Sequence, residues 1–260
     1  MRTETEMVAY ALEVDPALLP WIPELLGDFD ELGSDAALVV DVLAALGLPA
    51  SARVLDLGCG KGAVAVAIAK AFRCRVEGIE LFEPFIDACR ARAAAADVSD
   101  RCTFRHGDIL KAAGRTEPVD VAVFAALGDV LGPLDETIGV IRRFVRDGGH
   151  MLIFDDYLKD GGTSAFPGFE NYAAHDETLR RLQAHGDVLR REVIVSTDQS
   201  ETYAQEIAQI ERRAEALAAR RPELEPALTR FVEGQRQEYA YMTANTVPAI
   251  WVLERSARAQ

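Results

Sequence analysis

The chain has 260 residues, with 28 Lys and Arg against 42 Asp and Glu, for a formal net charge of −14. At 49 % hydrophobic and 27 % charged residues, it reads as a folded globular protein and not as a disordered acidic chain. The acidic balance argues against proteins that grip phosphate backbones by counterion release and against polybasic membrane-surface proteins.

In chain order, the opening MRTETEMVAY has no basic stretch followed by an apolar run, and no secretory leader is expected. Residues 14–33 carry Pro16, Pro20, Pro23, Trp21 and Phe29, and a helix over 35–46 follows with Ser34 as its expected N-cap. Residues 1–46 are therefore read as an N-terminal helical lid or extension ahead of the main domain, 47–260. From residue 53 short apolar runs alternate with helical patterns. Strands are expected at 53–57, 75–79, 102–105, 119–124 and 149–154, and helices at 63–72, 84–96 and 134–145. Pro84 suits a first helical turn, where the missing N–H is not needed. A helix over 177–184, a sixth strand over 188–197, helices over 201–220 and 223–242, and a last strand over 247–253 complete the reading. Pro248 in that last strand points to an edge position or a strand start. The helical stretch of about 198–245 is an insertion between strands six and seven. The β-α-β-α rhythm predicts an α/β fold with a parallel sheet covered on both faces. No apolar run approaches the roughly 18 residues of a membrane span. The four cysteines, Cys59, Cys74, Cys89 and Cys102, form no C-x-x-C pair and accompany no histidine cluster. That predicts a reduced, cytoplasmic chain with no disulfide framework and no metal site.

The first strand runs into Asp56-Leu-Gly-Cys-Gly-Lys-Gly62 and then a helix. Glycines in such a loop allow a tight turn and close approach of a ligand to the backbone, and the helix presents free N–H groups. In an open parallel sheet this loop lies near the switch point where ligands bind. Glu80, at the end of the second strand, can accept hydrogen bonds from two ribose hydroxyls. After the third strand comes His106-Gly-Asp108-Ile109. There Asp108 can accept from an adenine amine, while Leu81 and Ile109 cover the ring. Read without ligand, Asp108 is a helix N-cap and Glu80 a solvated strand end.

The run Val54–Gly62 closely resembles motif I of class I S-adenosylmethionine-dependent methyltransferases. Glu80 falls at that family's ribose position, Gly107-Asp108-Ile109 matches its adenine motif, and Arg146–Ile153 resembles its stretch into strand five, with Asp147 where Pro is usual. The resemblance covers about residues 34–196. It implies a Rossmann-like, doubly wound seven-stranded sheet, mostly parallel with an antiparallel last strand. It also implies S-adenosylmethionine as cofactor and S-adenosylhomocysteine as product. Asp56, Gly58 and Gly60 would hold the methionine portion with Cys59 packed in the same loop, Glu80 the ribose, and Asp108 the adenine amine between Leu81 and Ile109. Ala125 and Leu127 would border the methionine end. Phe124-Ala-Ala-Leu-Gly128 lacks the Asn-Pro-Pro-Tyr signature of nucleic-acid amino methylation, and the paired-glutamate loop of protein arginine methylation is missing. With the acidic charge, this favours a small-molecule acceptor, with no nucleic acid or membrane partner and with the helical insertion as a possible homodimer surface.

Transfer of a sulfonium methyl is an in-line displacement in which the enzyme supplies alignment and exclusion of water. A base is needed only if the nucleophile must lose a proton. Acceptor-site candidates at the carboxyl ends of strands four and five are Asp129, Asp155, Asp156 and Tyr157, with His175 as a possible base. Metal-dependent catechol-type members also carry acids after strand five, but they need one directly at the end of strand four, where this chain has Ala125 and Ala126. Two other classes compete: a non-catalytic S-adenosylmethionine-binding or interaction protein, and an NAD(P)-dependent oxidoreductase. The latter expects G-x-G-x-x-G where this chain has G-x-G-x-G.

Overall fold

The computed structural model describes residues 3–160, 162–195 and 199–257. In chain order the elements are α1 (Glu4–Ala11), a 3-10 segment (Pro16–Trp21), α2 (Ile22–Leu25), α3 (Ala36–Ala44), β1 (Arg53–Leu57), α4 (Ala63–Phe72), β2 (Arg75–Glu80), α5 (Glu83–Ala95), β3 (Cys102–His106), α6 (Ile109–Ala112), β4 (Val119–Ala125), α7 (Leu134–Ile141), β5 (Val145–Leu158), α8 (His175–Leu182), β6 (Val188–Ile194), α9 (Ser200–Arg220), a 3-10 turn (Pro222–Leu224), α10 (Glu225–Asn245) and β7 (Thr246–Glu254). The chain divides into two compact units, residues 1–30 with 196–246 and residues 31–195 with 247–260.

The second unit holds one seven-stranded sheet of order β3-β2-β1-β4-β5-β7-β6. The β1–β2, β2–β3, β1–β4 and β4–β5 pairs are parallel, and β6–β7 is antiparallel. Alternate residues of the inner strands feed two separate cores. Val54, Val76, Val121, Val123 and Leu152 join α3 and α4 on one face. Leu55, Leu57, Phe124, Met151 and Ile153 join Ile138, Ile141 and Trp251 on the other. Burial on both faces is why these strands read as near-continuous apolar runs. The chain order reverses between β1 and β4, so their carboxyl ends open a crevice there.

Arg142 and Asp187 tie the end of α7 to the start of β6. Arg142 donates from Nε and a terminal nitrogen to the two Asp187 oxygens, each at 3.0 Å. The Asp187 side chain is fully buried, and its Oδ1 also accepts from Ser256 N at 3.1 Å.

The first unit is helical. Antiparallel α9 and α10 bury Ile210, Ala214, Leu217, Leu228 and Phe231, and Tyr203 stacks on Tyr239 at 4.4 Å. Arg213 pairs with Asp28, Arg220 with Glu24, and Arg230 with Asp15.

Several sequence expectations need correction. α1 was not foreseen. It is short, and its signal is a capping box in which Thr3 and Glu6 exchange side-chain to backbone hydrogen bonds. Asp35, not Ser34, caps α3, accepting from Leu38 N at 2.9 Å. The helix expected over 134–145 stops at Ile141. Phe144 and Val145 mimic helical spacing, but Val145 already pairs with Val119 as the first residue of β5. The helix expected at 177–184 begins at His175 and ends at Leu182. Pro248 is not on an edge: β7 lies between β5 and β6, and Pro248 is near the strand start, with its carbonyl accepting from Val195 N. Thr197, expected to end the sixth strand, lies outside the described residues.

Removing one partner of a buried ion pair strands the other's charge. Asp187→Ala is expected to lower unfolding stability by about 3–5 kcal/mol, read from urea denaturation; a change below about 1 kcal/mol would show that the pair does not anchor β6.

Candidate active site

The site begins where β1 ends. Asp56 is 2 % exposed. It faces the first turn of α4, where its carboxylate accepts from the Ala65 N–H. Its Oδ2 is buried and has no hydrogen-bond partner. Burial is the largest influence on this carboxyl and pushes its pKa up to about 7, with a smaller contribution from the nearby Glu80 charge. A buried acceptor left unpaired is costly, so this oxygen calls for a donor.

The loop between Asp56 and α4 is shaped by its glycines, with φ of 66° at Gly58, 51° at Gly60 and 80° at Gly62. Side chains rarely adopt this left-handed region. The N–H groups of Gly58 and Cys59 both donate to Ile79 O, at 2.8 and 3.1 Å. Glu80 clamps the loop from β2: Oε2 accepts from Gly60 N at 2.9 Å and Oε1 from Phe82 N at 2.8 Å. Burial raises the Glu80 pKa, opposed by those backbone donors and by His106. Cys59 Sγ lies 4.0 Å from Cys89 Sγ, and Cys89 donates to Gly60 O at 3.1 Å. All four cysteines are free thiols.

Asp108 caps α6, its Oδ1 accepting from Leu110 N at 2.8 Å, while Lys111 approaches Oδ2 at 3.6 Å. The cap orients the carboxylate at the end of β3. Leu81 and Ile109 flank this edge, and His106 Nε2 bonds to Leu81 O at 3.0 Å, which makes His106 structural. Leu110 is 49 % exposed, an apolar surface beside Asp108 in α6, a four-residue helix that the sequence pattern does not predict. Leu127 reaches back to the glycine loop, since a Cβ on Gly58 would stand 2.6 Å from Leu127 Cδ1. Ala125 ends β4 against the α3–α4 core. Ala126 follows at φ 54°, a left-handed turn that redirects the chain at the switch point.

Beyond Leu127, a cavity of about 30 Å³ is lined by Gly128, Asp129, Asp155, Asp156, Tyr172 and Trp251, among others. Three sequence candidates, Asp129, Asp155 and Asp156, thus come together. Tyr172 Oη donates to Asp155 Oδ1 at 2.6 Å, and Asp156 N donates to the same oxygen at 2.8 Å. Asn171 Nδ2 donates to Asp129 Oδ2 at 2.9 Å. Burial pushes the Asp155 pKa up to about 7, the Tyr172 hydrogen bond opposing and the Asp156 and Asp129 charges reinforcing. Burial and the Asp155 charge hold the Tyr172 phenol well above its ordinary range, so it stays a donor.

Tyr157 and His175 are not among the cavity-lining residues. They form a neighbouring cluster, their rings 4.9 Å apart. His175 Nε2 lies 2.8 Å from Glu192 Oε1, which also accepts from Trp251 Nε1 at 2.7 Å. Tyr172, Asn171, Glu192 and Trp251 escaped the sequence reading as site residues, because each reaches its partner across a long sequence separation with no local motif. Among the described residues, no cluster of three or more His, Cys, Asp or Glu side chains is placed to hold a metal ion. Nor, among them, is any helix long and apolar enough to cross a membrane.

Residues 54–149 match the family model described as a methyltransferase domain. The chain is 30 % identical over 197 residues to 27-O-demethylrifamycin SV methyltransferase of Amycolatopsis mediterranei (strain S699), covering 74 % of this chain and 66 % of that protein. It is 30 % identical over 152 residues to ribosomal protein L11 methyltransferase of Shewanella baltica (strain OS185), covering 56 % and 49 %. It thus spans about half to two thirds of the length of these curated relatives. A crystal structure of a SAM-dependent methyltransferase from Geobacter sulfurreducens in complex with S-adenosyl-L-homocysteine superposes with a TM-score of 0.75 at 22 % identity, over 89 % of this chain and 96 % of that one. The chain belongs to the class I S-adenosylmethionine-dependent methyltransferase superfamily, on the strength of the matched domain, the sheet order and the glycine loop between Asp56 and Glu80.

A carboxyl whose pKa is raised by folding keeps its proton where the unfolded chain has lost it. Its contribution to stability therefore falls as pH rises from about 4 towards 7. Asp56→Asn is expected to make the ligand-free protein more stable than wild type at pH 8, with the difference closing near pH 4, read from urea denaturation at both values. Equal stability at pH 8 would mean that Asp56 is not ionised against its burial.

Proposed function

We propose that the protein transfers the sulfonium methyl group of S-adenosylmethionine to a small-molecule acceptor, leaving S-adenosylhomocysteine. The observation that carries this reading is the unpartnered Oδ2 of buried Asp56 at the mouth of the glycine loop. The group fits the residues present. A ligand ammonium would satisfy Asp56 and favour its charged form, which is the chemistry of a methionine portion. Glu80 accepts from the Phe82, Gly60 and Leu81 N–H groups and, with four lone-pair sites, retains acceptor capacity for a ribose hydroxyl. Asp108, held by its N-cap bond, would take an adenine amine, with Leu81 and Ile109 at the ring and Leu110 as added apolar surface. Gly58, Cys59 and Gly60 supply the close backbone, and Ala125 and Leu127 border the methionine end.

When bound, the cofactor supplies an already activated methyl group. The protein's part is to align the acceptor and keep water out. Leu127 links the two halves, touching Gly58 on one side while Gly128 and Asp129, next in sequence, line the cavity. At about 30 Å³ the cavity admits one small polar group, as suits the reacting end of a small acceptor. The names of the relatives divide between 27-O-demethylrifamycin SV and ribosomal protein L11, so the acceptor reading rests on this cavity and on the net charge of −14, which disfavours polyanions.

Calorimetric titration with S-adenosylhomocysteine and with NAD tests the reading. Micromolar S-adenosylhomocysteine binding is expected, with no response to NAD, and the reverse would sink it. Glu80→Ala is expected to weaken S-adenosylhomocysteine binding by roughly 1.5–3 kcal/mol, the value of a charge-assisted hydrogen bond. Unchanged affinity would remove Glu80 from the ribose site.

A further inference from the structure

We propose that Asp155, oriented by Tyr172, is the proton acceptor for a hydroxyl-bearing methyl acceptor whose reacting oxygen enters the cavity at the carboxyl end of β5. The inference rests on the cofactor reading above and goes beyond it by assigning a catalytic residue, a positioning residue and the class of acceptor.

The geometry is that of a held base. Two donors, Tyr172 Oη at 2.6 Å and Asp156 N at 2.8 Å, converge on Oδ1 of Asp155 and hold the carboxylate in place on the cavity wall, and the proton is assigned to the other oxygen, Oδ2. Tyr172 is itself placed by the loop before α8, with its hydroxyl next to Gly128: a Cβ there would stand 3.4 Å from Tyr172 Oη. Through Leu127, Gly128 is one residue from the glycine loop contact. The base thus lies on the wall of a cavity that starts one residue on from the Leu127–Gly58 contact, while Tyr157 and His175 do not line the cavity and pack with Glu192 behind Trp251, which does.

The charged and titratable groups facing Asp155 are Asp156 on its own strand, Asp129 from the β4–α7 loop and Tyr172, while Arg181 of α8 lines the same cavity. Arg181 is engaged by Glu177 and by Asn171 O, so its charge is largely spent on those partners. Burial and the two neighbouring acids keep Asp155 poised to take a proton near neutrality, where a general base is most effective.

A hydroxyl needs such a group. Neutral alcohols and phenols are weak nucleophiles until the proton leaves, whereas a neutral amine attacks first and can shed its proton to solvent afterwards. As the acceptor oxygen forms its new bond to the methyl carbon, its O–H bond breaks and the proton passes to Asp155 Oδ2. The electron pair of the broken carbon–sulfur bond stays on sulfur, giving the neutral thioether. Asp155 then returns its proton to solvent.

The test combines carboxyl titration with a hydroxyl probe. In ¹³C-labelled protein, the Asp155 carboxyl signal, assigned by its loss in Asp155→Asn, is expected to titrate near pH 7, and Tyr172→Phe is expected to raise the midpoint by removing a bond that favours the charged form. A midpoint near the ordinary value of about 4, or one indifferent to Tyr172→Phe, would overturn the base assignment. 4-Nitrophenol, whose colour reports its ionisation, is expected to bind saturably and to ionise about one unit higher when bound to wild type, but not to Asp155→Asn. Saturable binding of butylammonium in its place, or binding of neither, would overturn the hydroxyl class. Both variants are expected to keep S-adenosylhomocysteine affinity within about threefold, about 0.65 kcal/mol. Wild-type protein that fails to bind S-adenosylhomocysteine contradicts the cofactor reading itself, whatever Asp155 does.

Discussion

The half-satisfied carboxylate of Asp56 is the constraint on which the rest of the site depends. It stands at the end of β1, buried between the sheet and α4, with Ala65 N as donor and Oδ2 left without one. Two core faces packed against the parallel strands hold it there, and the sheet gives it no route to water. A fold that contributed only stability would gain by replacing this group with an apolar one. Asp56 stands beside a glycine loop that the half-buried Glu80 clamps from β2, so two acids border the loop at which the cofactor is proposed to bind.

From that point the architecture divides the labour. Glu80 fastens the loop to β2 through Gly60 and Phe82, so the proposed ribose acceptor also sets the loop's shape. The switch between β1 and β4 opens the crevice, and the left-handed turn at Ala126 brings Leu127 over Gly58. Past that contact lies the cavity where Asp155 is proposed to take a proton. Asp155 and Tyr172 meet over a cavity sized for one reacting group. The Arg142–Asp187 pair, together with Ser256 N on Asp187 Oδ1, ties the α7 end to the β6 start and to the residues after β7.

The cofactor half was readable because each of its parts sits in a short local motif. Asp56 to Gly62 lies within a single turn, and Glu80 and Asp108 end the next two strands. The sheet followed from the alternation of Val-rich strands and helices. The acceptor half was only partly readable: Asp129, Asp155 and Asp156 were visible as acids after strands four and five, but Tyr172 meets Asp155 across 17 residues of chain. Trp251 meets Glu192 across 59 residues. His175, a possible base by its place after Asn171-Tyr172, has its Nε2 2.8 Å from Glu192 Oε1. Helix and strand ends erred where spacing misled. Phe144 and Val145 continue a helical pattern into the sheet, and Asp35 competes with Ser34 one residue away for the same cap.

The proposed pairing of a ligand ammonium with Asp56 is tested most directly by the protons exchanged when S-adenosylhomocysteine binds. Calorimetry at pH 7 in buffers of different ionisation enthalpy counts them. Because burial raises the Asp56 pKa to about 7, pairing with a cation should lower it and release a fraction of a proton per ligand, and Asp56→Asn should reduce that release while weakening binding. Binding with the same proton release in Asp56→Asn as in wild type would contradict the account.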